Sequence, residues 1–310
     1  MKLLFLTWFF FLQVMVPAKV RCVVMDMMPN AFDDQYIGCE AAMENEAPKL
    51  LEKEQSYEDF RMMWDQAAKA WARKKPGKTY SLPTGFKDEY GTAVVLYTME
   101  IPHAIHPELN KNVSVAGQSR NYYMRNFHFK AFHFYLTRAL QLLKPNCTNK
   151  YYTYRGSKTV YNVSDHVRFG QFGSSSLDYY VAGDFGKATF FNITTCSGTD
   201  ITGLSNLKEE FEILIPVYEK FEKVQQMANL VTLKSTGKRC SYFNCAYFGG
   251  PKLVAPFCYF DSTSVNATII SSAPAGSLKW LWVLLVIIVF IVIYCMMEKQ
   301  PSTQSRQAPV

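Results

Sequence analysis

The chain has 310 residues, 49% of them hydrophobic and 19% charged, with a formal net charge of +7 and eight cysteines. Its 23 Phe and 19 Tyr exclude disorder over most of the length, because disordered segments are poor in aromatics and rich in charge. With only 16 Gly and 14 Pro it is not collagenous, and with no Lys/Arg run longer than Arg73-Lys74-Lys75 its basic excess lacks the clustering of a nucleic-acid footprint.

Residues 1–22 read as a secretory leader. Lys2 gives the positive start, Leu3 to Val16 the apolar core, and Val16-Pro17-Ala18 a cleavage site after Ala18, the alternative being a cut after Cys22. A helical region is expected over 23–146. From Ser56 to Arg73 the positions Tyr57, Phe60, Met63, Trp64, Ala67, Ala68 and Trp71 follow helical spacing, with Ser56 as N-cap and Glu58 and Asp59 in the first turn. Lys74-Lys75-Pro76-Gly77 ends that helix. A second helix is predicted from about Asn121 to Leu143, stopping at Pro145. Its His128 and His133 lie five apart, off any common helical face, and read as packing or surface residues.

After Cys147 the pattern changes. Tyr151–Tyr154, Val167–Phe172, Thr189–Thr195, Glu212–Ile215 and Val231–Leu233 are short, β-branched or aromatic, and separated by Gly, Ser, Asn and Asp. They predict a strand-rich core over 147–260, a sandwich or split barrel. A stalk (261–279) follows, then an unbroken apolar run from Trp280 to Met297 and a polar tail over 298–310. The run spans about 27 Å as a helix, which suits a single-pass type I membrane segment. The alternative is a glycolipid-anchor signal, with Ser271-Ser272-Ala273 or Ala275-Gly276-Ser277 as its small residues.

Export changes how Asn and Cys are read. Sequons stand at Asn112, Asn146, Asn162, Asn192 and Asn266; Asn192, in a strongly apolar stretch, is the one expected to go unused. Setting aside Cys22 and Cys295, the cysteines Cys39, Cys147, Cys196, Cys240, Cys245 and Cys258 allow up to three disulfides in any of 15 connectivities. No Cys/His pair follows Cys240-x4-Cys245 at finger spacing, so no metal is expected.

Neither G-x-G-x-x-G, the P-loop, H-E-x-x-H nor G-x-S-x-G occurs. The chemistry-bearing groups are an acidic cluster, Glu209, Glu210 and Glu212, opening a strand on which alternation puts Glu210 and Glu212 on one side of Phe211; Arg155, whose planar fork suits a phosphate; Gly156, which allows close backbone approach; and Ser174-Ser175-Ser176. Paired carboxylates can divide labour, one stabilising a cationic centre while the other accepts a proton.

Together these elements resemble a known family. Tyr154-Arg155-Gly156, Phe169 to Leu177 with its Ser-rich turn, and Glu210-Phe211-Glu212 before Ile213-Leu214-Ile215-Pro216 are similar to the Arg, Ser-x-Ser and Glu-x-Glu elements of vertebrate-type arginine-specific ecto-mono-ADP-ribosyltransferases. Asp26 to Cys39, Thr195-Cys196-Ser197-Gly198 and Tyr242-Phe243-Asn244-Cys245 extend the resemblance over roughly 24–260. It implies an α+β fold, a helical region packed on a transferase core of two facing, mainly antiparallel sheets. It also implies NAD+, or NADP+, as substrate, with ADP-ribose passed to protein arginines and nicotinamide released at the cell surface or in the secretory lumen. The same resemblance gives Arg155 and Gly156 to NAD+ binding and sets Phe185 of Asp184-Phe185-Gly186 against nicotinamide. Ser174 would orient Glu212 and the ribose, Glu212 stabilise the oxocarbenium-like centre, and Glu210 serve the acceptor guanidinium. The implied disulfides are Cys39–Cys245 and Cys147–Cys196, leaving Cys240–Cys258 as a third pair. The rival readings are an NAD+ glycohydrolase and a non-catalytic tethered glycoprotein; the intact Arg155, Ser174, Glu210 and Glu212 argue against the second.

Overall fold

The computed structural model describes residues 22–74, 82–100, 102–144 and 147–260. The expected leader up to residue 21, the stalk, the apolar run, the polar tail and the sequons at Asn146 and Asn266 lie outside the described residues. Among the described residues no helix is long and apolar enough to cross a membrane.

A short strand β1 (Cys22–Met25) precedes six helices: α1 (Glu40–Glu54), α2 (Glu58–Lys74), α3 (Asp88–Tyr97), α4 (His106–Ala116), α5 (Arg120–Asn126) and α6 (Lys130–Leu143). Then come β2 (Tyr151–Ser157), β3 (Val160–Val163), β4 (His166–Val167), β5 (Gly173–Ser176), α7 (Tyr179–Asp184), β6 (Thr189–Thr195), β7 (Thr199–Asp200), β8 (Glu212–Ile215), β9 (Glu219–Met227), β10 (Leu230–Ser241) and β11 (Phe257–Phe260). Helices first and strands after make the α+β fold that the sequence predicts. The strands run β4-β9-β10-β6-β2-β5-β8-β7, with β11 on β10. All of these pairings are antiparallel except β10 on β6. β1 and β3 form a separate parallel pair.

Helix α2 buries Phe60, Met63, Trp64, Ala67 and Trp71, the stripe its spacing predicts. It begins one residue later than an N-cap at Ser56 would place it, because Ser56 is used elsewhere: its hydroxyl donates to Lys53 O at 2.7 Å, closing α1. Gly91 lets α3 lie against α2, since a Cβ there would meet the Trp71 ring at 2.2 Å. The long helix predicted over 121–143 is two helices. The carboxylate of Glu54 accepts from the peptide N–H groups of Ala131 (2.6 Å) and Phe132 (3.1 Å), capping α6 from outside, while Phe127 and Phe129 sink into the core between the two. His128 is exposed; His133 is buried, with Nδ1 on the Tyr36 hydroxyl at 2.8 Å.

The strand predicted over 167–172 shrinks to β4. Arg168 is fully buried, its guanidinium on Asp33 Oδ2 at 2.5 Å and on the carbonyls of Met27, Met28 and Cys240, so the chain leaves the sheet there. One core joins the helices to Phe172, Leu204, Leu214, Val217 and Phe243 of the strand-rich half. A second, with Val163, Val167, Phe191, Ile193, Ile215 and Phe221, lies under β1 and β3. Strand alternation buries Phe191 and Ile193 but turns Asn192 outward, so the apolar stretch around that sequon gives no reason to discount it. Asn162 is exposed as well, and Asn112 is half-buried with Nδ2 on Glu108 O. Disulfides join Cys39 to Cys245, Cys147 to Cys196 and Cys240 to Cys258.

Candidate active site

A cleft of about 300 Å³ opens where the C-terminal turn of α3 and the start of α4 face β2, β5 and the approach to β8. Arg155, Gly156, Ser174, Phe185, Glu210 and Glu212, scattered over 58 positions of sequence, all line it. Among the described residues no group of three or more His, Cys, Asp or Glu could hold a metal ion.

The two glutamates converge by a route other than strand alternation. Glu212 opens β8 and is buried, paired across the ladder with Ser176. Glu210 ends a 3-10 turn over Lys208–Glu210, and Phe211 between them is left-handed at φ 47°, with its ring exposed. This kink brings Glu210 back over the cleft mouth, half-buried, while Glu212 sits at the floor. The turn is fixed by Ser176 Oγ donating to Glu210 O at 2.6 Å and by Leu177 N donating to Phe211 O at 3.1 Å. Ser175 Oγ donates to Ile213 O at 2.7 Å. Two of the three serines therefore tie β5 to the glutamate strand, and Ser174, which lines the cleft with Glu212, favours the ionised form of that carboxyl. Burial pushes Glu212 up to about 7, the Glu210 charge adds to the rise, and Ser174 and Arg155 oppose it. Glu210 is also raised, by burial and by the charges of Glu100 and Glu209; Glu209 itself is exposed and lies off the cleft.

Arg155 reaches across from β2, donating to the carbonyl of Ser174 and lying over the Phe169 ring. A Cβ on Gly156 would meet the carbonyls of Ala182 and Gly186 at 2.1 and 2.4 Å, so packing of the chain after β5 already demands glycine. Phe190, opposite Gly156 in the β2–β6 ladder, donates its N–H away from β2, to Asn229 O at 2.7 Å. The pair is therefore the non-hydrogen-bonded kind, and the peptide groups of Gly156 point away from β6, toward the cleft. Phe185 caps the end of α7 with a half-exposed ring in the cleft wall.

A sequence profile of the NAD:arginine ADP-ribosyltransferases matches residues 25–241, the whole of the helical region and most of the sheet. The chain belongs to that family. It is 42% identical over 274 residues to ecto-ADP-ribosyltransferase 5 of Bos taurus, covering 84% of this chain and 85% of the relative. It is 36% identical over 296 residues to the GPI-linked NAD(P)(+)–arginine ADP-ribosyltransferase 1 of Mus musculus, covering 88% and 85%. The crystal structure of the eukaryotic mono-ADP-ribosyltransferase ART2.2 superposes with a TM-score of 0.65 at 40% identity, over 73% of this chain and 99% of that one. A substituted form of ART2.2, at 39% identity, is solved in complex with NAD. This chain is accordingly an NAD+–arginine mono-ADP-ribosyltransferase.

The helical layer of the transferase supplies residues that sequence reasoning did not reach. Tyr97, Thr98, Glu100, His106 and Asn110 line the same cleft, as does Lys158 from the sheet side. Burial pushes Tyr97 up to about 12 and lowers His106, whose ring packs 5.6 Å from that of Tyr97. No motif marks these residues: they stand on α3, on α4 and in the turns beside α3 and β2, and only tertiary packing brings them together.

Proposed function

We propose that Arg155, Gly156, Ser174 and Phe185 hold NAD+ in this cleft, that Glu212 stabilises the reacting ribose, and that Glu210 receives the acceptor arginine. The carrying observation is that one buried and one half-buried carboxylate share the cleft, with Ser174 and Arg155 acting on the buried one. The residues suit the ligand: a guanidinium for the pyrophosphate or ribose, inward-pointing peptide groups at Gly156 for a carboxamide, and the Phe185 ring for the nicotinamide face.

The C–N bond between ribose and nicotinamide breaks with its electron pair leaving on nicotinamide, which departs neutral. Positive charge then develops on the ribose, and a fixed, buried carboxylate stabilises it more than it stabilises the ground state. Glu212 must be ionised for this, so the donor site works as pH rises through its titration. An arginine nitrogen forms the new C–N bond and loses a proton, which Glu210 at the mouth is placed to take. Water in place of arginine gives hydrolysis through the same donor site.

The physiological acceptors are protein arginines, and the enzyme acts outside the cytosol. Three disulfides, the sequons and the N-terminal leader fit that compartment, and the apolar run over 280–297 tethers it, as a span or as a removed anchor signal. NADP+ serves as well as NAD+ if the donor site tolerates a 2′-phosphate.

The test is to incubate the full-length protein with labelled NAD+, with and without agmatine as an arginine analogue. Transfer to agmatine is expected, with both reactions abolished in E212Q, and with transfer lost but hydrolysis retained in E210Q. Free ADP-ribose as the sole product would make it a glycohydrolase; turnover surviving in E212Q would refute the assignment of that residue.

A further inference from the structure

The hydrogen bonds beneath Ser174 form a connected network that begins at Asn110. Asn110, on α4 and buried, meets the backbone of Phe172 twice: the N–H of Phe172 donates to Asn110 Oδ1 at 3.1 Å, and Asn110 Nδ2 donates to the carbonyl of Phe172 at 3.1 Å. These two bonds set the orientation of the side-chain amide, because the reverse orientation would oppose donor to donor and acceptor to acceptor. The second hydrogen of Nδ2 goes to the hydroxyl of Tyr97 at 3.0 Å. The Tyr97 oxygen is thus an acceptor for Asn110, and its one proton needs an acceptor of its own. Two lie within reach, Ser174 Oγ at 3.1 Å and, farther off, Phe172 O at 3.3 Å, which also accepts from Asn110. Donation to the nearer of these, Ser174 Oγ, leaves the serine's own proton for the carboxylate of Glu212, whose ionised form Ser174 favours.

We propose that Tyr97 is a positioning residue for the transferase reaction: by donating to Ser174 it commits the serine proton to Glu212 and holds that carboxylate, ionised, at the floor of the cleft. The inference rests on the reading of Glu212 as the group that faces the reacting ribose. Tyr97 is fully buried at the last residue of α3, and the phenol remains a neutral donor over the whole working range of pH, since burial and the nearby Glu212 charge both oppose its ionisation. The charges that face Glu212 are Glu210 and Arg155, with Glu100 and His106 beyond them acting on Glu210 and Arg155. None of these supplies a donor to Ser174 Oγ, so the direction of the serine proton depends on Tyr97. A relay of this kind would link α4, α3, β5 and β8 through hydrogen bonds of one polarity, each donor reinforcing the next.

The experiment compares full-length wild type, Y97F, S174A and Y97F/S174A in NAD+ hydrolysis and in transfer to agmatine, as a function of pH. Y97F removes one hydroxyl, and losing a buried hydrogen bond of ordinary strength predicts a fall in kcat of about tenfold in both reactions. KM for NAD+ should stay within about twofold, because the loss falls on transition-state stabilisation. The acid limb of the kcat profile should move to higher pH, since Glu212 loses part of the bond that favours its ionised form. In the S174A background Y97F should cost nothing further, because its effect passes through that serine.

Wild-type rates with an unmoved acid limb, an effect on KM alone, or an undiminished tenfold loss in the S174A background would each overturn the proposal. Should Y97F fail to fold, 3-fluorotyrosine at position 97 keeps the hydroxyl and makes it the stronger donor, and the limb should then move to lower pH; an unmoved limb overturns the proposal equally. E212Q separates this inference from the reading beneath it. Turnover surviving in E212Q would remove Glu212 from its role, whereas a dead E212Q beside an unaffected Y97F would remove Tyr97 alone.

Discussion

Glu212 takes its acidity from three neighbours of different kinds, and each leaves a separate mark on the pH profile. Burial is the largest influence and raises the carboxyl to about 7; Glu210 raises it further by like charge, while Ser174 and Arg155 favour the anion. Only the ionised form stabilises a developing cation, so turnover in the donor half of the reaction rises as pH passes upward through that value. Removing the Glu210 charge weakens the opposition to ionisation. NAD+ hydrolysis by E210Q is therefore expected to keep its acid limb but to show it at lower pH than wild type, measured as kcat/KM for NAD+ in the absence of acceptor. A limb unmoved or shifted upward would mean that the two carboxylates do not sense each other. The comparison uses hydrolysis because transfer also requires Glu210 itself, which would mask the shift.

The elements around the cleft explain both what could be read from the sequence and what could not. Helix α2, β6, β8 and most of β2 follow from periodicity and β-branched runs, because each buries one face in a regular pattern. The break between α5 and α6 is invisible locally: it is made by Glu54, some 77 positions away, accepting the first peptide donors of α6. The same residue gives a prediction. Burial raises Glu54 to about 8, so between its ordinary range and that value the unfolded chain releases a proton that the folded chain keeps. This component of stability is complete at acid pH and is lost as pH rises toward 8. E54Q cannot titrate, so its stability in urea should fall less than that of wild type between pH 5 and pH 8; parallel declines would show that Glu54 is not the titrating group. In the site, Arg155, Ser174 and the glutamates are legible as a motif, whereas Glu210 is turned inward by a left-handed Phe211 that no alternation rule anticipates. The loop before it is also held from outside the sheet. Lys74, the last residue of α2, donates to Ser205 O at 2.7 Å and to Asn206 Oδ1 at 2.9 Å, and Asn206 N donates to Thr98 Oγ1 at 2.9 Å. K74A is expected to loosen that loop and reduce transfer to agmatine by roughly threefold to tenfold through a raised agmatine KM, with NAD+ hydrolysis near wild type. Equal losses in both reactions would place the effect at the donor site instead.

At the scale of the molecule, the helical layer and the sheet are locked by the segment that precedes α1. Asp33 Oδ2 accepts from Arg168 at 2.5 Å and from Tyr242 N at 2.8 Å, and its Oδ1 from Phe243 N at 3.0 Å. Asp34 accepts from Tyr36 N, Cys245 N and Ala246 N, and Cys39–Cys245 adds a covalent link over 206 positions. Such an arrangement ties the segment over 33–39 to the end of β10 and the turn that follows it, so that the helical layer and the sheet share one fixed junction. The Asp33–Arg168 pair has both side chains at 0% exposure. A buried ion pair adds little over a well-packed apolar pair, because desolvation cancels most of the attraction, but breaking one side strands a charge. D33N is therefore expected to destabilise the protein by about 3–5 kcal/mol, read as a lower urea midpoint at unchanged m-value. Replacing both partners, as in D33L/R168M, should recover part of that loss despite removing more bonds, since no buried charge is left without a counter-ion. If the double variant is instead less stable than D33N, the peptide donors of Tyr242 and Phe243 outweigh the ion pair, and the lock between the two layers is a matter of backbone capping more than of charge.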